Sequence, residues 1–413
     1  MILDWLTKDG KLLLTTRMVR TFSYGFLSII LAIYLKQIGF DDILIGVILS
    51  VTLLNSVFFT LFASFYADRF GRRRILIIYA VLMSVSGTIF LLTDNYVALI
   101  VAALIGTINV TGSETGAFLS LEQAILPQTV KKIKKRNTLF GFYNMGGTFA
   151  MSAGILLSGI PQILQNTGWS NIESFKPLFA VYVIAGLIVA ILYLLLSKNI
   201  EVGNKPTTKT QLNPLNQLSP KSRGIIGRLS VLFSLDSFAG GFVIQSIISF
   251  WFFTRFGVDL TTLSLIFAIA GTLTAFSYVL ATRIADKIGL INTMVFSHIP
   301  SNVLLVLLAF APTFPIALGL HLARMTLSQM DVPTRQSYIV SVVNENERTA
   351  AAGITNTSRN IAQAVSPSIT GLIIHSLWLS APFVIGGVLK IAYDVGVYLN
   401  FRKIKPPDEA ISD

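Results

Sequence analysis

Apolar runs of about 20 residues recur along the whole chain and limit what it can fold into. A helix of that length, rising 1.5 Å per residue, spans the roughly 30 Å hydrocarbon core of a bilayer. Hydrophobic residues make up 53% of the 413 residues and charged residues 13%, compared with about 25% charged in a soluble domain. We therefore predict an all-α membrane protein with twelve transmembrane helices at 14–36, 43–66, 75–93, 97–126, 138–160, 177–197, 225–253, 263–282, 292–311, 314–341, 351–376 and 382–401.

Lysines and arginines are concentrated in every second loop. Clusters at 72–74 and 131–136 fall in one set of loops, whereas the opposite set holds Lys36, Lys176 and Arg255. Because cytoplasmic loops are enriched in positive charge, we predict a multi-pass plasma-membrane protein with both termini cytoplasmic. The net charge of +12 then follows from topology, and short loops between apolar spans offer no folded basic surface for nucleic acid.

A polar segment at 198–224, rich in proline, asparagine and glutamine, divides the chain. This composition is typical of a linker. We predict an N-terminal six-helix bundle at 1–197 and a C-terminal six-helix bundle at 225–413.

Both halves carry the same landmark residues in the same order. The pairs are Phe22 and Phe238, Gly25 and Gly241, Phe26 and Phe242, Gly39 and Gly257, Asp41 and Asp259, and Gly71 and Gly289. This order predicts a duplication, with two bundles related by a pseudo-twofold axis along the membrane normal. Such bundles can rock about a central site, which is alternating access. The alternative is a repeat that only builds a stable bundle.

The connection between spans 2 and 3 contains the motif Ala67-Asp68-Arg69-Phe70-Gly71-Arg72-Arg73-Arg74. It resembles the G-x-x-x-D-R/K-x-G-R-R signature of the major facilitator superfamily, with Ser64 in place of the first glycine, and a degraded copy follows span 8. The resemblance implies secondary transport and a cytoplasmic gate, in which Asp68 contacts the N-terminal end of a helix in the other half. The alternative is that the arginines only anchor the topology. The gate residues implied are Asp68, Arg69, Gly71, Arg72, Arg73, Asp286, Arg136 and Arg348.

Ionisable residues inside the spans are the candidates for function, because a charge at the bilayer centre costs at least about 2.5–3.5 kcal/mol. They are Arg17, Arg20, Glu114, Glu122, Asp236, Arg324, Asp331, Arg335, Arg359, Lys390 and Asp394. Most lie in spans 1, 4, 7 and 10, the spans that line the cavity in the superfamily. The residues we predict to bind solute or a coupling proton are Arg20, Glu114, Glu122, Asp236, Arg324, Asp331 and Arg335.

Span 10 shows the sharpest pattern. Arg324, Asp331 and Arg335 fall on one helical stripe, and Pro333 is expected to kink the helix there. We predict that the two arginines contact an anionic or polar solute and that a carboxylate among the site residues carries a proton. The alternative is a structural gate in which Asp331 and Arg335 pair with each other and with Glu122.

Lys390 and Asp394, four residues apart in span 12, are predicted to pair with each other.

The leading hypothesis is a monomeric, proton-coupled secondary transporter of a small polar, anionic or amphiphilic solute. A drug or metabolite exporter is the alternative within transport, although the glycine-rich run at 146–154 lacks the Gly-Pro pair common in drug antiporters of the superfamily. A non-transporting sensor or scaffold is the alternative of another class. The chain has no cysteine and its three histidines lack ligand spacing, so we predict no metal, no cofactor and no enzymatic activity.

Overall fold

The structure is a computed structural model that describes residues 6–112, 114, 116–129, 136–201, 218–344 and 347–404. In this part of the chain, nine helical segments are long and apolar enough to cross a membrane. The predicted all-α fold class is confirmed. The α-helices are α1 (Lys8–Gln37), α2 (Asp42–Phe70), α3 (Arg72–Leu92), α4 (Tyr96–Ile105), α5 (Ala117–Ile125), α6 (Arg136–Leu157), α7 (Ile160–Asn166), α8 (Lys176–Leu194), α9 (Pro220–Gly241), α10 (Gln245–Phe256), α11 (Leu260–Ile288), α12 (Leu290–Ala309), α13 (Phe314–Leu327), α14 (Asp331–Ser341), α15 (Arg348–Ser376) and α16 (Ala381–Phe401).

Three of the predicted spans are interrupted where a continuous helix was expected. Span 4 forms α4 and α5 with a non-helical stretch between them, span 7 forms α9 and α10, and span 10 forms α13 and α14. In span 4, Gly112 and Gly116 have φ angles of 79° and 106°, which an α-helix excludes and which glycine adopts without a steric penalty. In span 10 the break lies at 328–330 and includes residue 329, whose carbonyl would accept the N–H that Pro333 lacks, so the break agrees with the predicted kink.

Two compact units divide the chain, and each is described separately. The first contains the described residues of Met1–Pro206 together with Ile244–Ala268. Within it α1 crosses α6 at Gly25 and Gly154, where an added Cβ would overlap the backbone of the facing helix. The two glycines therefore allow the backbones of α1 and α6 to approach closely.

Helix α10 also packs on α1 within the first unit. The hydroxyl of Ser246 donates to the carbonyl of Ser28 at 2.8 Å, and that of Ser249 donates to the carbonyl of Ile29 at 3.0 Å. These serines are fully buried, so their hydrogen bonds fix how α10 lies along α1.

The second unit contains the described residues of Thr207–Val243 and Ile269–Asp413. Helix α9 packs against α15 and α16, and α12 packs against α13, α14 and α16. Gly241 lies at the α9–α15 crossing, where a Cβ would collide with Ser366. It therefore plays the part here that its predicted counterpart Gly25 plays in the first unit.

Other landmark pairs also occupy equivalent positions. Gly71 and Gly289, with φ angles of 97° and 84°, each separate the second and third long helices of their half. Asp41 and Asp259 each accept the backbone N–H three residues later, at 2.7 Å and 2.9 Å, and so cap a helix start. The repeat read from the sequence thus corresponds to repeated local structure.

Candidate functional site

The first unit encloses two arginines and two glutamates, which we call the Arg20 cluster: Arg17, Arg20, Glu114 and Glu122. Arg20 on α1 is completely buried. Its Nη2 lies 2.9 Å from Oε1 of Glu114 and 2.7 Å from Oε2 of Glu122. Arg17, nearly one turn earlier, has its Nη1 3.2 Å from Oε2 of Glu114. Two cations face two anions, so the formal charge of this cluster is balanced.

Hydroxyl groups complete the environment of Glu122. Tyr143 and Tyr193 donate to its two oxygens at 2.5 Å and 2.6 Å, and Thr16 donates at 2.8 Å. Together with Arg20, these donors satisfy both carboxylate oxygens, as a buried ion requires. Glu122 is held rigidly in one position.

Glu114 reaches the cluster because it is not in a helix. It lies in the non-helical stretch between α4 and α5, where Asn109 accepts the amide of Thr111 at 3.0 Å. Irregular backbone at membrane depth needs burial in protein or contact with water. Because span 4 is interrupted here, the side chain of Glu114 faces α1 and reaches its arginines.

The second unit contains a larger group of charges, the Asp236 cluster: Asp236, Asp331, Arg335, Arg359, Lys390, His298 and Asp394. Asp236 on α9 is its centre. Its Oδ1 lies 2.6 Å from Nζ of Lys390, and its Oδ2 lies 3.4 Å from Arg335 and 3.7 Å from Arg359. Arg335 also contacts Oδ2 of Asp331 at 2.5 Å. The predicted site residues Asp236, Asp331 and Arg335 are thus brought together.

His298 of α12 joins the cluster from the other side. Its Nδ1 lies 2.8 Å from Oδ1 of Asp394, and its Nε2 lies 4.0 Å from Oδ1 of Asp236. The predicted pairing of Lys390 with Asp394 is wrong, because Lys390 contacts Asp236 instead. The two side chains do share a face of α16, but that face packs on α9 and α12, which supply nearer partners.

Arg324, in the last turn of α13, is buried with 7% of its surface exposed. Within the described residues it forms no ion pair, and its Nε has no hydrogen-bond partner. Its Nη1 makes a long contact of 3.6 Å with Sδ of Met325. Arg324 and Arg335 therefore differ: Arg335 is bound by two carboxylates, whereas Arg324 retains donor capacity.

The loop motif between α2 and α3 forms a site for a carboxylate. Glu201 accepts the backbone N–H of Arg72 at 2.7 Å and that of Arg73 at 3.2 Å, at the start of α3. The guanidinium of Arg73 donates to the carbonyls of Tyr193 and Leu194. A negative charge is favourable at a helix N-terminus, so Glu201 caps the start of α3, while Arg73 holds the loop against the end of α8.

Among the other predicted gate residues, Arg69 and Asp286 are exposed. The side chains of Asp68, Arg136 and Arg348 lie outside the described residues.

Several participants were missed from the sequence, namely His298, Asn302, Tyr143, Tyr193 and Glu201. A spacing signal existed for one pair, because His298 and Asn302 are four apart on an apolar helix and so share a face. Tyrosines in apolar helices resemble lipid-facing residues until their neighbours are known, and Glu201 lay in the predicted linker.

Comparison with known proteins identifies the family and the fold. The sequence profile of the Major Facilitator Superfamily matches residues 13–328. An uncharacterized membrane protein of Saccharomyces cerevisiae is 26% identical over 94% of this chain and 93% of its own length. An arabinose-proton symporter of Bacillus subtilis is 25% identical over 30% of this chain and 27% of its own length.

Solved structures share the fold at low identity. The nucleoside transporter NupG, as a D323A mutant, matches with a TM-score of 0.75 and 14% identity, over 95% of this chain and 99% of that one. A D-xylose-proton symporter matches with a TM-score of 0.74 and 17% identity, over 94% and 97%.

Proposed function

The chain belongs to the major facilitator superfamily, and from that premise we propose that it is a secondary active transporter of a small polar solute with an anionic group. It would move this solute across the membrane by alternating access. The observation that carries the proposal is the buried guanidinium of Arg324.

A buried cation needs a counterion, since the cost of removing it from water is otherwise several kcal/mol. Within the described residues, Arg17, Arg20, Arg335, Arg359 and Lys390 each lie within 3.7 Å of a carboxylate. Arg324 does not. A carboxylate or phosphate of the solute would supply the missing charge, with up to two hydrogen bonds to the planar guanidinium.

The position of Arg324 supports the same reading. It precedes the break at 328–330 by one turn, and Ser328 in that break is 4% exposed. Non-helical backbone inside a membrane protein is tolerated where it is buried or lines a watery cavity, and it presents backbone groups to a ligand. Arg324 and the interrupted span 10 together would bind the polar end of a solute.

Proton coupling is the second part of the proposal. The arabinose-proton and D-xylose-proton symporters among the similar proteins carry the proton in their names. We place the chain in the plasma membrane as a monomer with both termini cytoplasmic, which is the orientation that its basic loops favour. Glu114, Glu122 and Asp331 each contact an arginine, so a coupling proton would have to compete with a cation there.

The test uses purified protein reconstituted in liposomes. Counterflow of a pentose, a nucleoside, a monocarboxylate and an organic phosphate is measured for the wild type, Arg324→Gln and Arg255→Gln. Arg255 is exposed and serves as the matched control. Truncating one partner of a buried charge pair costs about 2–5 kcal/mol, so Arg324→Gln should lose at least about tenfold in apparent affinity for the anion.

Three results would count against the proposal. Counterflow of none of the four classes would contradict transport itself. Movement of the pentose or nucleoside without the two anions would contradict the anionic solute. An equal loss in the Arg324 and Arg255 variants would remove Arg324 from the site.

The loop motif has a separate proposed role in the rate of the transport cycle. We assign this gate role to Asp68, Arg69, Gly71, Arg72 and Arg73, with the further residues Asp286, Arg136 and Arg348. Asp68→Asn should slow counterflow while leaving the amount of protein in the membrane unchanged. Wild-type turnover in this variant would leave the arginines as topology anchors only.

A further inference from the structure

We infer that His298 and Asp394 form a buried proton-binding site in the second unit, separate from the carboxylates predicted from the sequence to carry a coupling proton. The imidazole of His298 is 3% exposed and the carboxylate of Asp394 is 0% exposed. Their ring nitrogen Nδ1 and oxygen Oδ1 lie 2.8 Å apart. Histidine is the side chain whose ordinary pKa lies nearest neutrality, so it is suited to loading and unloading a proton.

The contacts assign the proton to one ring nitrogen in the neutral state. Asn302 Nδ2 lies 2.9 Å from Oδ2 of Asp394 and 3.2 Å from Nδ1 of His298. Nδ1 cannot both donate to the carboxylate and accept from the amide, and the shorter contact is the one with Asp394. We therefore assign the hydrogen to Nδ1, which leaves Nε2 with a lone pair directed towards Asp236, 4.0 Å away.

A proton that enters from water would bind this lone pair on Nε2. The imidazole then becomes an imidazolium with one N–H facing Asp394 and the other facing Asp236, and release reverses the step. One proton and one positive charge are gained or lost, and no covalent bond to carbon changes. The carboxylate of Asp394 stabilises the imidazolium, whereas Oδ1 of Asp236 is already bound by Lys390 at 2.6 Å.

The helices near the pair carry further buried titratable and charged residues. Helix α9 contributes Asp236, α13 carries His321 and Arg324, α14 carries Asp331 and Arg335, α15 carries Arg359, and α16 carries Lys390 and Tyr393. The ring of Tyr393 lies 5.9 Å from that of His298, edge to face.

The matching of charges singles out Asp394. Asp236 has Lys390 and two arginines within 3.7 Å, and Asp331 has Arg335 at 2.5 Å. Among the described residues, Asp394 pairs with no lysine or arginine, and its one ionisable partner is His298. A proton at this pair is held without displacing a permanent cation. Its use in coupling rests on the proposed transport function, whereas the binding of the proton does not.

The test needs no solute and uses the full-length protein in lipid nanodiscs. Imidazole nitrogens are labelled with ¹⁵N, and the three histidines are assigned with His298→Gln, His321→Gln and His375→Gln. Spectra recorded between about pH 5 and pH 8 report the protonation of each ring. His375 is exposed and serves as the reference histidine outside the site.

We expect the His298 signals to pass from imidazole to imidazolium within this range. In Asp394→Asn the His298 curve should be displaced by about one pH unit or more, because an adjacent carboxylate is lost, while the His375 curve stays the same. A His298 ring that keeps one protonation state throughout would overturn the site. If the His298 curve in Asp394→Asn coincided with that of the wild type, the pairing of His298 with Asp394 would be overturned. Neither result depends on whether the counterflow experiment succeeds.

Discussion

The Arg20 cluster and the Asp236 cluster each bury acidic and basic side chains in one unit of the chain, but their charges are matched differently. In the first, two arginines face two glutamates at 2.7–3.2 Å, and hydroxyl groups satisfy the remaining positions of Glu122. In the second, one aspartate is shared by three permanent cations, another is paired with a histidine, and Arg324 of the same unit lacks a counterion among the described residues. With His298 neutral, the three carboxylates of the Asp236 cluster also equal its three permanent cations in number, so the two clusters differ in how the charges are paired. A carboxylate paired only with a histidine, and a buried arginine without a carboxylate, are the groups that can respond to a proton or an anion.

The largest difference should appear when one arginine of each unit is replaced by methionine, which keeps similar volume. Arg20→Met leaves Glu114 and Glu122 with reduced compensation in the interior, so we expect a loss of about 3–5 kcal/mol in the free energy of unfolding. Arg324→Met removes a cation that has no counterion and should cost about zero or be stabilising. Equilibrium unfolding in mixed detergent micelles measures both, and equal losses would break the comparison.

The next effect separates Asp236 from Asp394 in the Asp236 cluster. Asp236→Asn strands Lys390 beside Arg335 and Arg359, and we expect a loss of about 3 kcal/mol. Asp394→Asn leaves a neutral histidine and one poorly matched amide, so about 1–2 kcal/mol is expected. The same unfolding measurement ranks them, and a larger loss in Asp394→Asn would contradict the assignment of charges.

A smaller effect concerns Glu201 in the first unit. Glu201→Ala removes the acceptor for the first amides of α3, and the loss of a helix cap costs about 1 kcal/mol. Glu173→Ala is the matched control, because Glu173 is exposed at the start of a short 3₁₀ helix. We expect a lower thermal unfolding temperature for the first variant alone. The cap would be without consequence if both variants unfolded at the wild-type temperature.

Glu347 of the second unit gives the smallest effect, and it depends on pH. A hydrogen bond from the Ser222 hydroxyl at 2.5 Å, helped by the amide of Ser219 at 2.7 Å, lowers the pKa of Glu347 to about 2. The ordinary glutamate pKa is about 4.3, so the stabilisation is complete above that pH and is lost as the pH falls towards about 2.

The measurement compares the thermal unfolding of the wild type and Glu347→Gln from about pH 5 to pH 3. The gap in unfolding temperature should narrow as the pH falls. A gap that stays constant would mean that the carboxylate is not the group responsible.

Local features were predictable because they depend on the chain near each residue. The membrane-length helices were predicted from apolar length. The landmarks paired in the sequence, Gly71 with Gly289 and Asp41 with Asp259, are equivalent turns and helix caps in the structure. The pairing of Asp331 with Arg335, which the sequence offered only as the alternative to a solute-binding role, is present at 2.5 Å.

Partners on other helices were not predictable. Lys390 and Asp394 satisfied the spacing rule for a pair, yet each binds a residue more than ninety positions away. The breaks in spans 4 and 10 had glycine or proline near them, but such residues occur in unbroken membrane helices as well, including Pro300 in α12 and Pro367 in α15.

By itself, the sequence determined that the chain crosses a membrane many times and repeats its local structure, because backbone hydrogen bonding in lipid demands long helices. It also determined which buried ions had to be explained. The tertiary structure alone decided which ions neutralise one another, leaving His298 opposite Asp394 and Arg324 without a described counterion. The reason is physical: the energy of a charge in a low-dielectric interior depends on atoms within a few ångströms, and helix packing, not sequence distance, determines those neighbours.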